Sequence, residues 1–526
     1  MTDKKPQRFG RSAEPTLGAK RPVNKHSPKN PDRKPGHKPD SNARTADQKS
    51  PSKPAANRDG QSRSNGHRNK GGGNNGGGNR GGGKAKAGLL SRYLALTILE
   101  SVLRDQTSLD TAIPEALADE RFVDLAPRDK AFARLLAMTV LRHHASLLAV
   151  VGTYLAKPLA ANAERIRIIL MAGAAELILL KIAPHATIST TVELTRLSAK
   201  TLHFDKLANA ILRRVSETGT KVFEETATAA DNFPDWMIAG WREAYGPEVT
   251  DRIATACLQE AALDLTVKDS PLEWATRLEA IALPTGSLRR AAGGRIEDLE
   301  GYNEGGWWVQ DTAASLPVQL LGAKPGSKML DLCAAPGGKT AQLCAAGADV
   351  TAVDVSVTRM DRLRENLDRL EVDAITIAAD AATWRSTELF DGVLIDAPCS
   401  STGTIRRHPD IMHLKRPGDL ERLGDIQLRL LKNAATLVEV GGTIVYCTCS
   451  LERVECEERI EQFLADPGAE RLQFERVPIE ATEVGGQADW ITEAGDLRTF
   501  PFHLPAENPA LAGIDGFYAA RLKRLA

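Results

Sequence analysis

Apolar positions recur at spacings of three and four from residue 89 to about 215, then give way to short apolar runs alternating with helical patterns. Leu94, Leu96, Ile98, Leu99 and Leu103 form one stripe, and Phe132, Leu135, Leu136, Val140 and Leu141 a second. Ile166, Ile169, Leu170, Gly173, Ala174 and Leu177 form a third. Each stripe places its apolar side chains on one helix face. Pro127, Pro158 and Pro184 fall between the stripes, where helices break. The spacing predicts an all-α bundle over 88–216. Residues 217–302 mix a helix over 235–245, stopped by Gly246-Pro247, a second helix to about 262, and extended runs such as 263–267. A small α+β connector is expected there.

Within 303–526 the period changes again. Apolar strands are predicted at 329–332, 350–355, 374–379, 393–396 and 443–447, with helices at 340–346, 357–370 and 420–438. Alternation of this kind, with strands so apolar, predicts a parallel sheet covered on both faces: a doubly wound, Rossmann-like α/β domain. Ligands of such sheets sit at the carboxyl ends of the strands, where the strand order reverses.

Composition adds a fourth region. Residues 1–87 are rich in Lys, Arg, Pro, Ser, Asn and Gly, and their large apolar residues are few (Phe9, Leu17, Val23). No core can form from them, so a disordered basic tail is expected. It holds 21 Lys and Arg against 6 Asp and Glu, a net of +15, so with 68 of each sign in the whole chain the remainder carries −15. A cationic arm on an acidic body suits a protein that gathers a polyanion, although a solubilising tail has the same composition. The seven cysteines lack regular paired spacing, which points to free thiols in a reducing cytoplasm. No apolar secretory segment opens the chain. The most apolar stretch, 166–183, is interrupted by Arg167, Glu176 and Lys181, so a buried helix is expected rather than a membrane span.

The candidate chemistry sits at the predicted strand ends. The run Cys333-Ala334-Ala335-Pro336-Gly337-Gly338-Lys339 follows the first strand, and its glycines let a ligand approach the backbone closely. Asp354 ends the second strand, where an acidic group grips ribose hydroxyls. Asp380 ends the third, placed to accept from an adenine amino group, and Asp396 ends the fourth. One strand-end Asp alone would cap a turn; three in register with a Gly-Gly turn suit a nucleotide-like cofactor. A P-loop is excluded, because its first glycine would be position 333, which is Cys, and no Gly-x-Gly-x-x-Gly is present. Asp396-Ala397-Pro398-Cys399 and Thr448-Cys449-Ser450 bring a thiol to each of two neighbouring strand ends. Either cysteine alone reads as a small buried hydrophobe. As a pair they suit pyrimidine carbon methylation, in which one thiol attacks carbon 6 and another group assists release. The reaction also needs a group facing nitrogen 3 of the base, and Asp396, protonated or through a shared proton, is the candidate. Arg406, Arg407 and His408 follow in a loop, as phosphate contacts or as a solvated charge run.

Residues from about 303 to 524 resemble the catalytic domain of the Sun (RsmB-type) RNA cytosine-5 methyltransferases. The likeness rests on Val309-Gln310-Asp311, the 333–339 run, Asp354-Val355-Ser356 with Arg359, and Arg362-Leu363-Arg364-Glu365-Asn366. It continues through Asp396-Ala397-Pro398-Cys399-Ser400, Arg406-Arg407-His408-Pro409-Asp410, Tyr446-Cys447-Thr448-Cys449-Ser450 and Asp515-Gly516-Phe517-Tyr518-Ala519. The bundle resembles the NusB-type RNA-binding domain in Arg128-Asp129-Lys130-Ala131-Phe132, Leu141-Arg142-His143 and Ala208-Asn209-Ala210-Ile211-Leu212-Arg213-Arg214. Three positions depart from the family. Cys447 stands where Ser is common, Cys456 interrupts the acidic run 455–458, and Val267-Lys268-Asp269 replaces an Arg-x-Asn.

The resemblance implies S-adenosylmethionine as cofactor, held by Cys333, Ala334, Ala335, Pro336, Gly337, Gly338, Lys339, Asp354, Asp380 and Asp396. It implies that Cys449 attacks and Cys399 assists release, whereas the Pro-Cys pattern of DNA enzymes would nominate Cys399 as nucleophile. An RNA partner is expected, ribosomal RNA of the small subunit first and transfer RNA as the alternative, with no metal and no membrane. A non-catalytic RNA-binding assembly factor is the rival of another class, disfavoured by the intact cysteines.

Overall fold

The computed structural model describes residues 82–526, so nearly all of the expected basic tail lies outside the described residues. Helix α1 (Gly82–Leu103) begins inside the segment expected to lack structure. It is followed by α2 (Leu109–Ala118), α3 (Pro127–Arg142), α4 (His144–Thr153), α5 (Glu164–Ile178), α6 (Pro184–Arg196) and α7 (Asp205–Thr226). Pro127 and Pro184 open their helices rather than merely separating them, since the first turn has no use for their missing N–H. Leu94, Leu99, Leu136, Val140, Ile169 and Leu212 are fully buried, so the three stripes do meet in one core. Glu176, which interrupts the most apolar stretch, is buried and paired with Arg92 of α1 at 2.5 Å. The Thr187 hydroxyl of α6 donates to the same carboxylate. Among the described residues no single helix is long and apolar enough to cross a membrane.

Helix α8 (Asp235–Cys257) bends at Gly246, the expected break. A small antiparallel sheet follows, in the order β2-β3-β1-β4, from β1 (Leu263–Val267), β2 (Ile281–Ala282), β3 (Leu288–Arg290) and β4 (Trp307–Val309), with α9 (Pro271–Arg277) between β1 and β2. Its fourth strand comes from beyond residue 302, where the connector was expected to end; the buried Trp307 anchors it.

After α10 (Thr312–Leu321) the alternation begins: β5 (Lys328–Leu332), α11 (Gly338–Ala345), β6 (Asp349–Asp354), α12 (Val357–Leu370), β7 (Ile375–Ala378) and β8 (Phe390–Asp396). Then come α13 (Ile411–Leu414), α14 (Pro417–Ala434), β9 (Val438–Thr448), α15 (Glu457–Leu464), α16 (Pro467–Arg471), β10 (Phe474–Arg476), β11 (Leu497–Thr499) and β12 (Phe517–Arg524). The sheet order is β10-β12-β9-β8-β5-β6-β7, with β11 also on β12. Strands β9, β8, β5, β6 and β7 are parallel, and β12 runs against β9. The chain therefore winds outward in both directions from β5 and β8, which puts the reversal of strand order, and the crevice it opens, between their carboxyl ends.

The Arg406–His408 stretch corrects its expectation. Arg406 is 2 % exposed and donates to the carbonyls of Glu260 and Ala512. Arg407 bonds the carboxylates of Asp311, at 2.6 Å, and Asp515, and the carbonyl of Ala262. Arg142 of α3 donates to the Arg406 carbonyl, and Asp410 accepts the Leu109 N–H at the start of α2. Arg406 is thus enclosed, Arg407 spends its guanidinium on two carboxylates and a carbonyl, and neither stands free to meet phosphate, whereas His408 stays half-exposed beside Asp110. The loop after β8 is instead the joint on which the bundle, the small sheet and the large sheet converge.

Candidate active site

The turn after β5 is built from backbone constraints. Cys333 sits at φ 63° and its N–H donates to the Val353 carbonyl of β6. Gly337 has φ 101°, and a Cβ there would lie 2.8 Å from Leu363 of α12. Its glycine is thus demanded by conformation and by helix packing. Gly338 differs: an added Cβ would lie in ordinary contact with Trp308 at 3.8 Å and Gln310 at 3.9 Å, so packing does not demand a glycine there. Asp354 is buried and accepts the N–H groups of Ala335 and Ser356, which draws the end of β6 against the turn. Asp380 is exposed and accepts the Ala382 N–H. Both carboxylates cap turns while standing at successive strand ends of one edge.

Beneath the turn, Asp331 is wholly buried. One carboxyl oxygen accepts the Thr340 hydroxyl at 2.6 Å and the other has no partner. Burial pushes this carboxyl up to about 7. An unpartnered buried oxygen, a glycine turn that opens a helix and a row of strand-end carboxylates fit a polar, nucleoside-bearing cofactor laid across β5, β6 and β7.

Toward β8 and β9 the chemistry changes. Lys339, the first residue past Gly338, reaches across the strand ends so that its Nζ lies 2.8 Å from Asp396 Oδ2. Burial disfavours its charge, yet the Asp396 carboxylate holds the ammonium above the ordinary lysine range. The Cys447 thiol faces Asp396 Oδ1 at 3.7 Å. Burial raises that thiol well above the usual range and keeps it neutral.

Cys399 and Cys449 converge: their sulfurs are 3.6 Å apart, in contact but unbonded. The hydrogen bond from Cys399 lowers the Cys449 thiol below the ordinary cysteine range, with Lys339 acting in the same direction. The same bond, together with burial, pushes Cys399 well above it. The two thiols are thereby made unequal, Cys449 being the more readily ionised of the pair. The register of β8 with β9 pairs Asp396 with Cys447, so the two cysteine loops leave the sheet side by side.

The structure thus unites Lys339, Asp396, Cys399 and Cys449, and places Asp354 and Asp380 further along the same edge. Sequence reasoning missed two partners. Lys339 was assigned only to the turn, although a lysine opening a helix beside a strand-end aspartate is a signal for the pair. Glu455, buried behind both cysteines, lay in an acidic run that carried no signal at all. Among the described residues no group of three or more His, Cys, Asp or Glu could hold a metal ion.

Residues 318–523 match the family described as 16S rRNA methyltransferase RsmB/F, and residues 90–217 match the NusB family. A ribosomal RNA small subunit methyltransferase B of Xylella fastidiosa is 35 % identical over 450 residues, covering 83 % of this chain and 98 % of that protein. One of the same name from Pseudomonas putida is 33 % identical over 461 residues, covering 83 % and 98 %. The solved structure of PH0851 superposes with a TM-score of 0.65 at 21 % identity, covering 84 % of this chain and 99 % of that one, a likeness of fold. With identity above 30 % along nearly the whole length of these relatives, the chain belongs to the RsmB/F family of 16S rRNA methyltransferases, carrying a NusB-family domain ahead of its catalytic region.

Proposed function

We propose that this protein methylates carbon 5 of a cytosine in small-subunit ribosomal RNA, using S-adenosylmethionine and a transient bond between Cys449 and carbon 6 of the base. The observation that carries the reading is the 3.6 Å contact of two unequal thiols at the ends of β8 and β9. Relatives named for the same activity support the choice of RNA. Cys333, Ala334, Ala335, Pro336, Gly337, Gly338 and Lys339, with Asp354 and Asp380, form the edge assigned to the cofactor, and Asp396 closes it. When bound, S-adenosylmethionine supplies an electrophilic methyl group.

The protein's own groups do the rest. Cys449, the more readily ionised thiol of the pair, adds to carbon 6 as its thiolate, and the electron pair of the 5,6 double bond moves toward carbon 5 and the nitrogen 3 side of the ring. The Lys339 ammonium, held by Asp396, donates to that side of the base, so Asp396 acts through its hydrogen bond with Lys339. Part of the rise in the Cys399 thiol comes from the charge on Cys449. Once the carbon–sulfur bond consumes that charge, Cys399 is free to lose its proton to water in the cleft. As a thiolate it takes the proton from carbon 5, the 5,6 double bond re-forms, and Cys449 leaves as a thiolate. The target base must leave any stack, and the bundle and basic arm hold flanking RNA while it does so.

The test follows the two sulfurs. With labelled cofactor and 16S RNA, Cys449→Ala abolishes methylation and forms no protein–RNA adduct, whereas Cys399→Ala accumulates the adduct. The reverse pattern would exchange the roles. No incorporation by the unaltered protein, on naked RNA or small-subunit particles, would favour a non-catalytic binding role.

A further inference from the structure

Behind the two thiols lies a carboxylate with no part in the reaction just described. Glu455, in the turn between β9 and α15, is fully buried. It accepts from the backbone N–H of Ser400 through both oxygens, at 2.9 and 3.1 Å, and from the Ser400 hydroxyl. The Ser450 hydroxyl donates to it at 2.6 Å, and the Gln427 amide of α14 at 3.2 Å. Gln427 in turn donates to the Pro398 carbonyl at 2.9 Å. Ser400 follows Cys399, Ser450 follows Cys449 and Pro398 precedes Cys399, so every donor belongs to a thiol loop or braces one. Hydrogen bonds alone carry the charge, and the expense of burying it is offset by their number.

We propose that Glu455 is the positioning residue of the thiol pair: one carboxylate ties the Cys399 loop to the Cys449 loop and so holds the two sulfurs in contact. The proposal rests on the reading of Cys449 as nucleophile and Cys399 as its partner. Only a carboxylate suits the place, because it presents acceptors in every direction and no donor. Glutamine of the same shape would turn an N–H toward the Ser400 N–H, which meets both oxygens and can only donate, and the loops would part. Its charge also raises the Cys399 thiol, which leaves Cys449 the more readily ionised of the two. Asp396, Lys339 and Cys447 face the thiols from the sheet edge, and Glu452, Tyr446 and Cys456 surround the carboxylate. All of them stay in place in the test.

The test is the pH dependence of Cys449 alkylation by iodoacetamide, followed by peptide mass spectrometry in the full chain without RNA or cofactor. Glu455→Gln is expected to raise the midpoint by about one pH unit or more, as the thiolate loses its partner. Its kcat at neutral pH is expected to fall by about 100-fold, with the KM for RNA changed less than about threefold. Raising the pH is expected to restore part of the rate. Ser450→Ala, which removes one donor and leaves the charge, should move the midpoint in the same direction by less, and it carries the test if Glu455→Gln does not fold. An unmoved midpoint in folded variants would overturn the positioning role. Alkylation needs no methyl transfer, so an inactive wild-type protein would defeat the functional reading alone, and an active one with an unmoved midpoint would defeat this proposal alone.

Discussion

At Cys449 the thiolate is stabilised chiefly by another thiol, with a lysine further off, and this makes the residue-scale consequences specific. Lys339→Met removes the cation from Asp396 and the donor from the base, and kcat is expected to fall by about 100-fold or more in a methyl-transfer assay. Cys447, neutral through burial, is expected to resist iodoacetamide at a pH where Cys449 has already reacted. Asp331 gives a pH signature. Its folded-state carboxyl stands near 7, above the ordinary value of 3.8, so the fold prefers it protonated. That contribution is fully present below about pH 4 and is lost as the pH rises through 7. In thermal melts without cofactor, Asp331→Asn is expected to lose less stability than the parent between pH 5 and pH 8. The thiols and the glycine turn were legible because each is a contiguous motif at a strand end. The Lys339–Asp396 pair left only the signal of a helix-opening lysine near a strand-end aspartate, and the Glu455 clamp left none, because its partners lie far apart in sequence and a glutamate in an acidic run reads as solvated.

Among the elements, α12 occupies its expected 357–370, since Ser356 caps it and apolar residues recur along one face. Strand β9 begins at Val438 rather than 443: its pairing with β8 shifts register between Phe390 and Gly392, so Val438, expected to end a helix, and the unassigned residues after it become strand. The connector strands β2 and β3 are only two and three residues long, too short to show a period, and only the pairing of β3 with β1 and of β2 with β3 reveals them. The turn between β5 and α11 is the element on which cofactor binding should turn. Gly337→Ala must place a side chain at φ 101° and against Leu363. The substitution is expected to cost about 1–3 kcal/mol of stability and to weaken S-adenosylhomocysteine binding in calorimetry.

For the whole molecule, the alternation of strands and helices gave the catalytic region and the stripes gave the bundle, but nothing local revealed how the regions adhere. Arg406 and Arg407 look like surface charges until the distant chain closes over them. Arg407→Ala would leave Asp311 and Asp515 buried without their cation, and is expected to destabilise the protein by about 3–5 kcal/mol in denaturant unfolding. The loop that Arg407 anchors carries a further implication. Cys399 and the joint of the three regions belong to one short stretch of backbone, so the reactive end of this enzyme is not a portable module. A fragment cut free of its leading helices would lose the scaffold that holds its own sulfur in place, and would falter even on a substrate small enough to need no grip.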